Sequence, residues 1–446
     1  MNLPSDVLYI LNKFKDENFY AYPVGGCVRD SLLGTTPGDW DITTDATPVE
    51  ILEVFNGHKV ITLGEKFGTI GVLINGKIYE ITTMRYDHSY NDNRHPSQVS
   101  FTKNLIEDLK RRDFTINSMA YDHINKKVID PFDGQEDLKR RVIKAVGNPD
   151  ERFKEDALRI MRAIRFSAKL DFEIETNTLY SICTNVNLLK NIAMERIKIE
   201  LDKTLICGDF ETLRNLYNCN IFYVLFPEIH KMFETTQNNN YHIYNVGDHS
   251  LMAVTHIKDD IILKYVALLH DVGKVPAKTV DNGKDHFYYH SQFSVEIARD
   301  ILNRLRFSNE DKHRVLKIIE FHDTVLNTRL KSIMKFVVDR NFSYEDFLDL
   351  LEMTKADTLA QNPLYINRLF KLDEIKEAYE NVYKGPHKIC DLAVDGRDMI
   401  ELGYENANIK KILVYLLKQV IADPGINRKD KLMDIATKVK DEICKD

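Results

Sequence analysis

An α+β chain is predicted: a small mixed α/β head with a β-sheet, followed by an all-α neck, a helical body and a helical tail. The head is read from residues 69–74 and 77–85, which alternate apolar and polar side chains around Asn75-Gly76, a strong hairpin turn. The rest is read from the change of period after Asn148. There Pro149 suits a first helical turn, and Phe153, Leu158, Met161, Ile164 and Phe166 recur at roughly helical spacing. Helical pattern then runs to the C-terminus, broken near residues 238–240, 281–285, 385–386 and 423–425, with no repeat period of a solenoid. At 446 residues the chain has room for several domains, expected as head 1–145, neck 146–225, body 226–360 and tail 361–446.

Composition removes several classes. No apolar run approaches the roughly 20 residues of a membrane span, and residues 1–20 are amphipathic rather than signal-like, so a cytoplasmic protein is expected. The six cysteines include no Cys-x-x-Cys pair, which argues against a zinc ribbon or a disulfide framework and for reduced thiols, mostly buried. A net charge of -7 does not suggest nucleic acid, but gripping a phosphodiester needs only a local positive surface. Candidate patches are Lys110-Arg111-Arg112, Lys139-Arg140-Arg141, Arg159 with Arg162 and Arg165, and Arg428, Lys429 and Lys431.

In the head, Asp39 and Asp41 stand two apart before strand-like Ile42-Thr43-Thr44. On a strand such residues face the same side, and two carboxylates held together are costly unless a cation lies between them. Mg²⁺ prefers such oxygen ligands and completes its shell with substrate phosphates. Upstream, Gly25-Gly26 lets backbone approach a phosphate, residues 27–33 can open a helix toward it, and Arg29 adds a forked donor. Glu80, on the second arm of the hairpin, is the third acidic candidate, because a two-metal displacement commonly uses three. Arg112, Asp113 and Asn117 can reach ribose hydroxyls and phosphates.

Asp156 and Arg159 are expected at i and i+3 on one neck helix, sharing a face. An aspartate only accepts and a guanidinium only donates. Cytosine and adenine both present an amine beside an acceptor ring nitrogen, whereas uracil and guanine invert that order. Such an Asp–Arg pair is either a plain surface ion pair or, set against a base, one that admits C and A and leaves buried groups unpaired with U or G.

A second site is expected in the body. His270-Asp271 closes the apolar run 265–269, Asp248-His249 lies upstream, and burying such pairs without a metal is expensive. Imidazole with carboxylate suits a divalent transition metal or Mg²⁺. Gly273-Lys274 follows, His286, His290 and His322 are further candidates, and Asp357 is chosen as closing ligand on local pattern.

These motifs have a family likeness. Gly25-Gly26-Cys27-Val28-Arg29-Asp30 with Asp39-Trp40-Asp41 resembles the nucleotidyltransferase signature of bacterial-type CCA-adding enzymes and their poly(A) polymerase relatives. Arg111-Arg112-Asp113-Phe114-Thr115-Ile116-Asn117 resembles the family's ribose-recognising motif, and Asp130-Pro131-Phe132-Asp133-Gly134 with Val146-Gly147 its head-to-neck hinge. Glu155-Asp156-Ala157-Leu158-Arg159 resembles its nucleotide-selecting motif and Glu195-Arg196-Ile197 its last neck motif. The body looks like an HD-type phosphohydrolase domain with His249, His270 and Asp271 in ligand positions, bringing a second divalent metal. Residues 395–399 and 409–420 resemble the family's tail, although residues 403–408 replace its Gly-rich turn.

The resemblance implies template-independent addition of C, C and A to a tRNA 3′ end from CTP and ATP, with Mg²⁺. Asp39, Asp41 and Glu80 would be catalytic, and Gly25, Gly26, Arg29, Arg112, Asp113, Asn117, Asp156, Arg159, Arg162 and Arg165 would bind nucleotide. Residues 85–96, polar and aperiodic, resemble the loop of enzymes that finish with A after two Cs. A poly(A) polymerase or A-adding enzyme shares this head, and an HD phosphohydrolase with an RNA-binding head is the reading from another class.

Overall fold

Asn75 and Gly76 both take positive φ, 48° and 82°, the pair of left-handed residues that a two-residue hairpin turn demands. The structure, a computed structural model, describes residues 1–87 and 99–444. It divides into two units, Met1–His230 and Lys231–Asp446.

The first unit opens with helix α1 (Ser5–Asp16), which buries Val7, Ile10, Leu11 and Phe14. Strands β1 (Ala21–Pro23), β2 (Ile42–Thr44), β3 (Val60–Ile61), β4 (Thr69–Ile74) and β5 (Lys77–Thr83) form one sheet in the order β1-β2-β5-β4-β3. Only β2 and β5 run parallel, with Ile42 opposite Ile81. The expected second arm to residue 85 stops at Thr83: the Met84 N–H bonds the Thr44 carbonyl, and Arg85–Asp87 leave to pair with Val99–Phe101. Helix α2 (Gly26–Leu32) follows β1, starting from Gly25.

The single neck helix of the sequence reading is two. Asn148 caps α3 (Pro149–Glu155), with its side chain accepting from the Asp150 N–H. Asp156 is then extended (φ -136°, ψ 102°), and α4 (Leu158–Leu170) begins after it. The neck is also not wholly α, because Val142–Ile143 pairs parallel with Glu173–Ile174. Helix α5 (Met194–Cys207) packs on α4.

In the second unit, α6 (Val246–His256) precedes α7 (Ile261–Leu269), where residues 262–269 are all buried. Lys264 tolerates this because its amine donates to the Val254 and Ile257 carbonyls. The expected break at 281–285 is a β-hairpin, Lys278–Asp281 with Lys284–Phe287, turning on Asn282 and Gly283 at positive φ. Helices α8 (His290–Arg304), α9 (Asn309–Phe321) and α10 (Tyr344–Leu359) complete the body. In the tail, Asp395 caps α11 (Gly396–Glu401) in a capping box with Asp398, and Met399, Ile412, Leu416 and Val420 share a core with α12 (Asn406–Ala422).

The thiols differ from expectation. Cys27 and Cys219 are buried and Cys183 half-buried, but Cys207, Cys390 and Cys444 are exposed, because each lies at an element end or in a short turn rather than on a core face. Among the described residues, no helix is long and apolar enough to cross a membrane.

Candidate active site and metal centre

Asp39 and Asp41 stand just before β2 rather than on it. Asp41 still extends the ladder, since its carbonyl accepts from the Val24 N–H at 3.0 Å. β2 pairs with β5 from Ile42 opposite Ile81, so Asp41 and Glu80 are the residues that directly precede the first pair. Trp40, Ile42 and Ile81 are buried, so alternation turns Asp41 and Glu80 to the opposite, exposed face. Displaced water around Asp41 raises its carboxyl, and the Asp39 charge adds to this while Arg112 and Arg162 oppose it. Desolvation also raises Glu80, followed by the charges of Asp41 and Asp39. The three carboxylates thus share one field, and a donor set of oxygens alone fits a hard cation such as Mg²⁺. Burial, with the Asp41 charge beside it, pushes the Cys27 thiol up to about 12.

Gly25 has φ 78°, and a Cβ there would lie 2.7 Å from Arg112 Nη1. Its bare backbone is what lets Arg112 lie against the turn before α2. Arg29, expected as a free fork for phosphate, is instead buried. It donates to Asn117 Oδ1 at 2.6 Å and Asp30 Oδ1 at 2.7 Å. Asn117 in turn donates to Asp113 Oδ1 at 3.2 Å, and Asp113 Oδ2 accepts from Arg162 Nε and Nη2 at 2.8 and 2.5 Å. Burial would raise Asp113, but the Arg162 charge and its hydrogen bonds overcome this and hold it down to about 2. Arg29, Asn117, Asp113 and Arg162 therefore form one chain from α2 to α4, with Asp113 and Asn117 facing protein rather than an open ribose pocket. Arg165 pairs with Glu200 on α5 and lies over the Phe166 ring at 4.0 Å.

Asp156 and Arg159 do not pair with each other. The break before α4 leaves Asp156 near Arg196, at 3.6 Å. Arg159 donates to Glu155 Oε2 at 2.7 Å and to the carbonyls of Arg152 and Arg111 at 3.0 and 2.7 Å. The i, i+3 geometry fails because Asp156 is extended, not helical.

The second unit gathers four histidines around Asp271. Oδ2 of Asp271 lies 3.6 Å from His249 Nε2 and 3.2 Å from His270 Nε2. Asp357 Oδ1 reaches the same two nitrogens at 2.9 and 3.7 Å. Nδ1 of His249 faces the Ala360 carbonyl at 3.2 Å, and Nδ1 of His270 faces the Ala267 carbonyl at 2.8 Å. Each Nδ1–H is thereby used, which turns both Nε2 atoms to the carboxylates, where each can hold either a proton or a metal. Burial opposes charging of His270, yet Asp271 and Asp357 outweigh it and raise the imidazole to about 10. A buried cluster that demands a cation so strongly fits a divalent metal with nitrogen and oxygen ligands.

Three family profiles match: "Poly A polymerase head domain" over residues 21–144, "Probable RNA and SrmB- binding site of polymerase A" over 171–233, and "HD domain" over 240–360. The CCA-adding enzyme of Staphylococcus epidermidis is 33% identical over 437 residues, covering 95% of each chain. The chain belongs to the CCA-adding enzyme family. Another family member, from Limosilactobacillus reuteri, is 52% identical over 197 residues, 44% of this chain and 48% of that protein. The crystal structure of the Bacillus stearothermophilus CCA-adding enzyme in complex with CTP aligns over 100% of both chains at TM-score 0.75 and 27% identity. The Thermotoga maritima CCA-adding enzyme complexed with tRNA-CCA shares the fold, at TM-score 0.61 and 20% identity over 97% of this chain and 95% of that one.

Several residues of this family member went unread in the sequence. Asp108 is fully buried and holds Arg111 at 2.7 Å, Arg112 at 3.8 Å and the Thr43 hydroxyl at 3.3 Å. Glu200 anchors Arg165, as Glu155, already part of the 155–159 motif, anchors Arg159. No local pattern marks Asp108 or Glu200, because Thr43 and Arg165 lie 65 and 35 residues away from them. His290 and His322 join the histidine cluster around Asp271, whereas His286 stacks on Tyr288 at 5.5 Å. The A-addition loop expected at 85–96 lies, from residue 88 on, outside the described residues.

Proposed function

We propose that the chain adds C, C and A in turn to a tRNA 3′ end, using CTP and ATP, with Asp39, Asp41 and Glu80 as its acidic centre. The observation that supports this is the β2–β5 pair, whose first residues Ile42 and Ile81 directly follow Asp41 and Glu80, with the charge of Arg112 acting on Asp41. Mg²⁺ held by Asp39 and Asp41 would supply charge neutralisation for the triphosphate and acidify the terminal RNA hydroxyl. Arg112, admitted by Gly25, faces the phosphates of the incoming nucleotide. Asp156 accepts from the exocyclic amine of C or A. Arg159 donates to the ring nitrogen through the Nε–H and the one Nη2–H that its three protein hydrogen bonds leave over. Uracil or guanine would set a carbonyl against Asp156 and a ring N–H against Arg159. Arg29, Asn117, Asp113 and Arg162 act as positioning groups that tie the glycine turn to the base-selecting helix. The work of such an enzyme lies in the cytoplasm.

The test supplies Mg²⁺, labelled CTP or ATP, and tRNA ending at the discriminator base, at C or at CC. Three ordered additions, lost in Asp39→Ala and Asp41→Ala, are expected. A long A tail on arbitrary RNA would instead make the chain a poly(A) polymerase.

In the second unit, His249, His270, Asp271 and Asp357 are read as ligands of a divalent metal that serves phosphate-ester hydrolysis, the reading that the orientation of both Nε2 atoms favours. His270→Ala should lose both the metal and the hydrolysis, and unchanged metal content in that variant excludes the site.

A further inference from the structure

We propose that Cys183 and Cys219 form an oxidative modification site, a thiol pair that a hydroperoxide closes into a reversible disulfide stapling the neck. Cys183 lies on the helix Thr176–Asn185, and Cys219 is the C-cap of the helix Phe210–Asn218. Their Sγ atoms stand 2.8 Å apart, with the Cys183 thiol donating to Cys219. A disulfide sets its sulfurs about 2.05 Å apart, so less than ~1 Å of closure separates this pair from a bond.

The surroundings hold both thiols in place and make them unequal. On either side of Cys183, the Ser181 hydroxyl and the Asn185 amide donate to Asp150 Oδ1 on α3, the amide at 2.7 Å. Nearer the start of that helix, the Thr178 hydroxyl accepts from the Ala145 N–H at 3.2 Å. Across the contact, the Cys219 N–H bonds the Asn215 carbonyl at 3.0 Å. Cys219 is 1% exposed whereas Cys183 is half-buried, so an oxidant in solvent meets Cys183 first. Burial, with Cys183 beside it, raises the Cys219 thiol, which keeps it a neutral partner until Cys183 has reacted.

The Cys183 sulfur attacks the terminal oxygen of a hydroperoxide, ROOH. The O–O bond breaks, leaving Cys183 as the sulfenic acid and ROH, with the thiol proton passing to the alkoxide. The Cys219 sulfur, already in contact, then attacks the sulfenic sulfur. The S–S bond forms, the S–O bond breaks, and hydroxide leaves with the Cys219 proton as water. Two thiols lose two electrons and the peroxide gains them. In a reducing compartment such a bridge lasts only while oxidant is present.

The sulfurs are 36 residues apart in sequence, and the loop they close contains α5. From α5, Glu200 holds Arg165 and Arg196 stands 3.6 Å from Asp156. Tying the ends of this loop removes freedom from the unfolded chain and so steadies α5 against α4.

The experiment uses the full chain carrying Cys207→Ser, Cys390→Ser and Cys444→Ser, which clears the exposed thiols. It is treated with hydrogen peroxide, alkylated and digested. The peptide of Cys183 joined to that of Cys219, and parted again by dithiothreitol, is expected. Calorimetry of the oxidised chain should give a thermal midpoint about 5–10 °C above that of the reduced one. Adding Cys219→Ser should stop the reaction at a Cys183 sulfenic acid, which dimedone captures, and adding Cys183→Ser should leave Cys219 reduced. Neither variant should gain in midpoint on oxidation. Cys183 driven to the sulfinic acid while Cys219 stays free overturns the pair. A bridge that forms but leaves the midpoint unchanged or lower overturns the staple. Cooperative unfolding of the reduced variants shows that their folds are kept. Were Cys219→Ser to lose its fold, the linked peptide in the parent, and its absence with Cys183→Ser, decides the matter.

Discussion

Asp41, proposed as a metal ligand, is a residue whose place in the fold opposes stability. Desolvation and the neighbouring Asp39 raise its carboxyl, and Glu80 is raised by its own desolvation and the same neighbours. A group raised in the fold contributes stability below its unfolded pKa, and that contribution is lost as pH rises through the folded value. At pH 7 the metal-free protein therefore bears the full repulsion. Asp41→Asn should raise the metal-free Tm at pH 7, with the gain vanishing below about pH 4, where the native carboxyl is itself neutral. The same variant should lower nucleotide addition by about 10²–10³-fold, as loss of a preorganised charge does. Calorimetry and single-addition kinetics on one preparation check both signs. A Tm that falls at pH 7 would mean that Asp41 is stabilised by partners rather than strained by its neighbours.

Among the elements, the close approach of α8 to the His270-Asp271 turn is the most demanding contact, since a Cβ on Gly273 collides with backbone that cannot rotate away. Gly273→Ala should destabilise the second unit by about 1–3 kcal/mol through overpacking, and should loosen metal binding by shifting the His270-Asp271 turn. Urea unfolding with and without Mn²⁺ separates the two effects, and an unchanged midpoint in both would show that α8 yields at no expense. Elements of this kind also mark what the sequence could and could not disclose. The hairpin at Asn75-Gly76 was legible because its turn chemistry is local. The helix break at Asp156 was not, since the apolar spacing continues through it from Phe153 to Leu158 and Met161, and only the extended backbone reveals it. The partners of the neck arginines were equally hidden: Asp113 lies 49 residues from Arg162, and Glu200 35 residues from Arg165. His290 and His322 were visible as candidates, but sequence spacing could not join them to the far oxygen of Asp271.

For the whole molecule, a net charge of -7 must still permit a polyanion to bind. Arg159, Arg162 and Arg165, which read as a positive patch, are matched by Glu155, Asp113 and Glu200, so much of their charge is already answered within the protein. Lys139 and Arg140, at the end of the helix Gly134–Arg140, are exposed instead, and the Lys139 side chain keeps 76% of its surface despite Glu136 at 3.7 Å. An exposed, salt-screened pair of that kind holds its lysine weakly, which leaves the cation free to meet a phosphate. If these residues contact the tRNA backbone, each contact releases counterions, and log(kcat/KM) for tRNA falls with log salt in proportion. Lys139→Ala with Arg140→Ala should raise the tRNA KM and flatten that slope by about one unit per lost contact, and KM for CTP at saturating tRNA should hold. A slope that keeps its full value would assign the backbone grip to other cations of the chain, with Arg428 and Lys431 the next pair to remove because both are exposed in the tail.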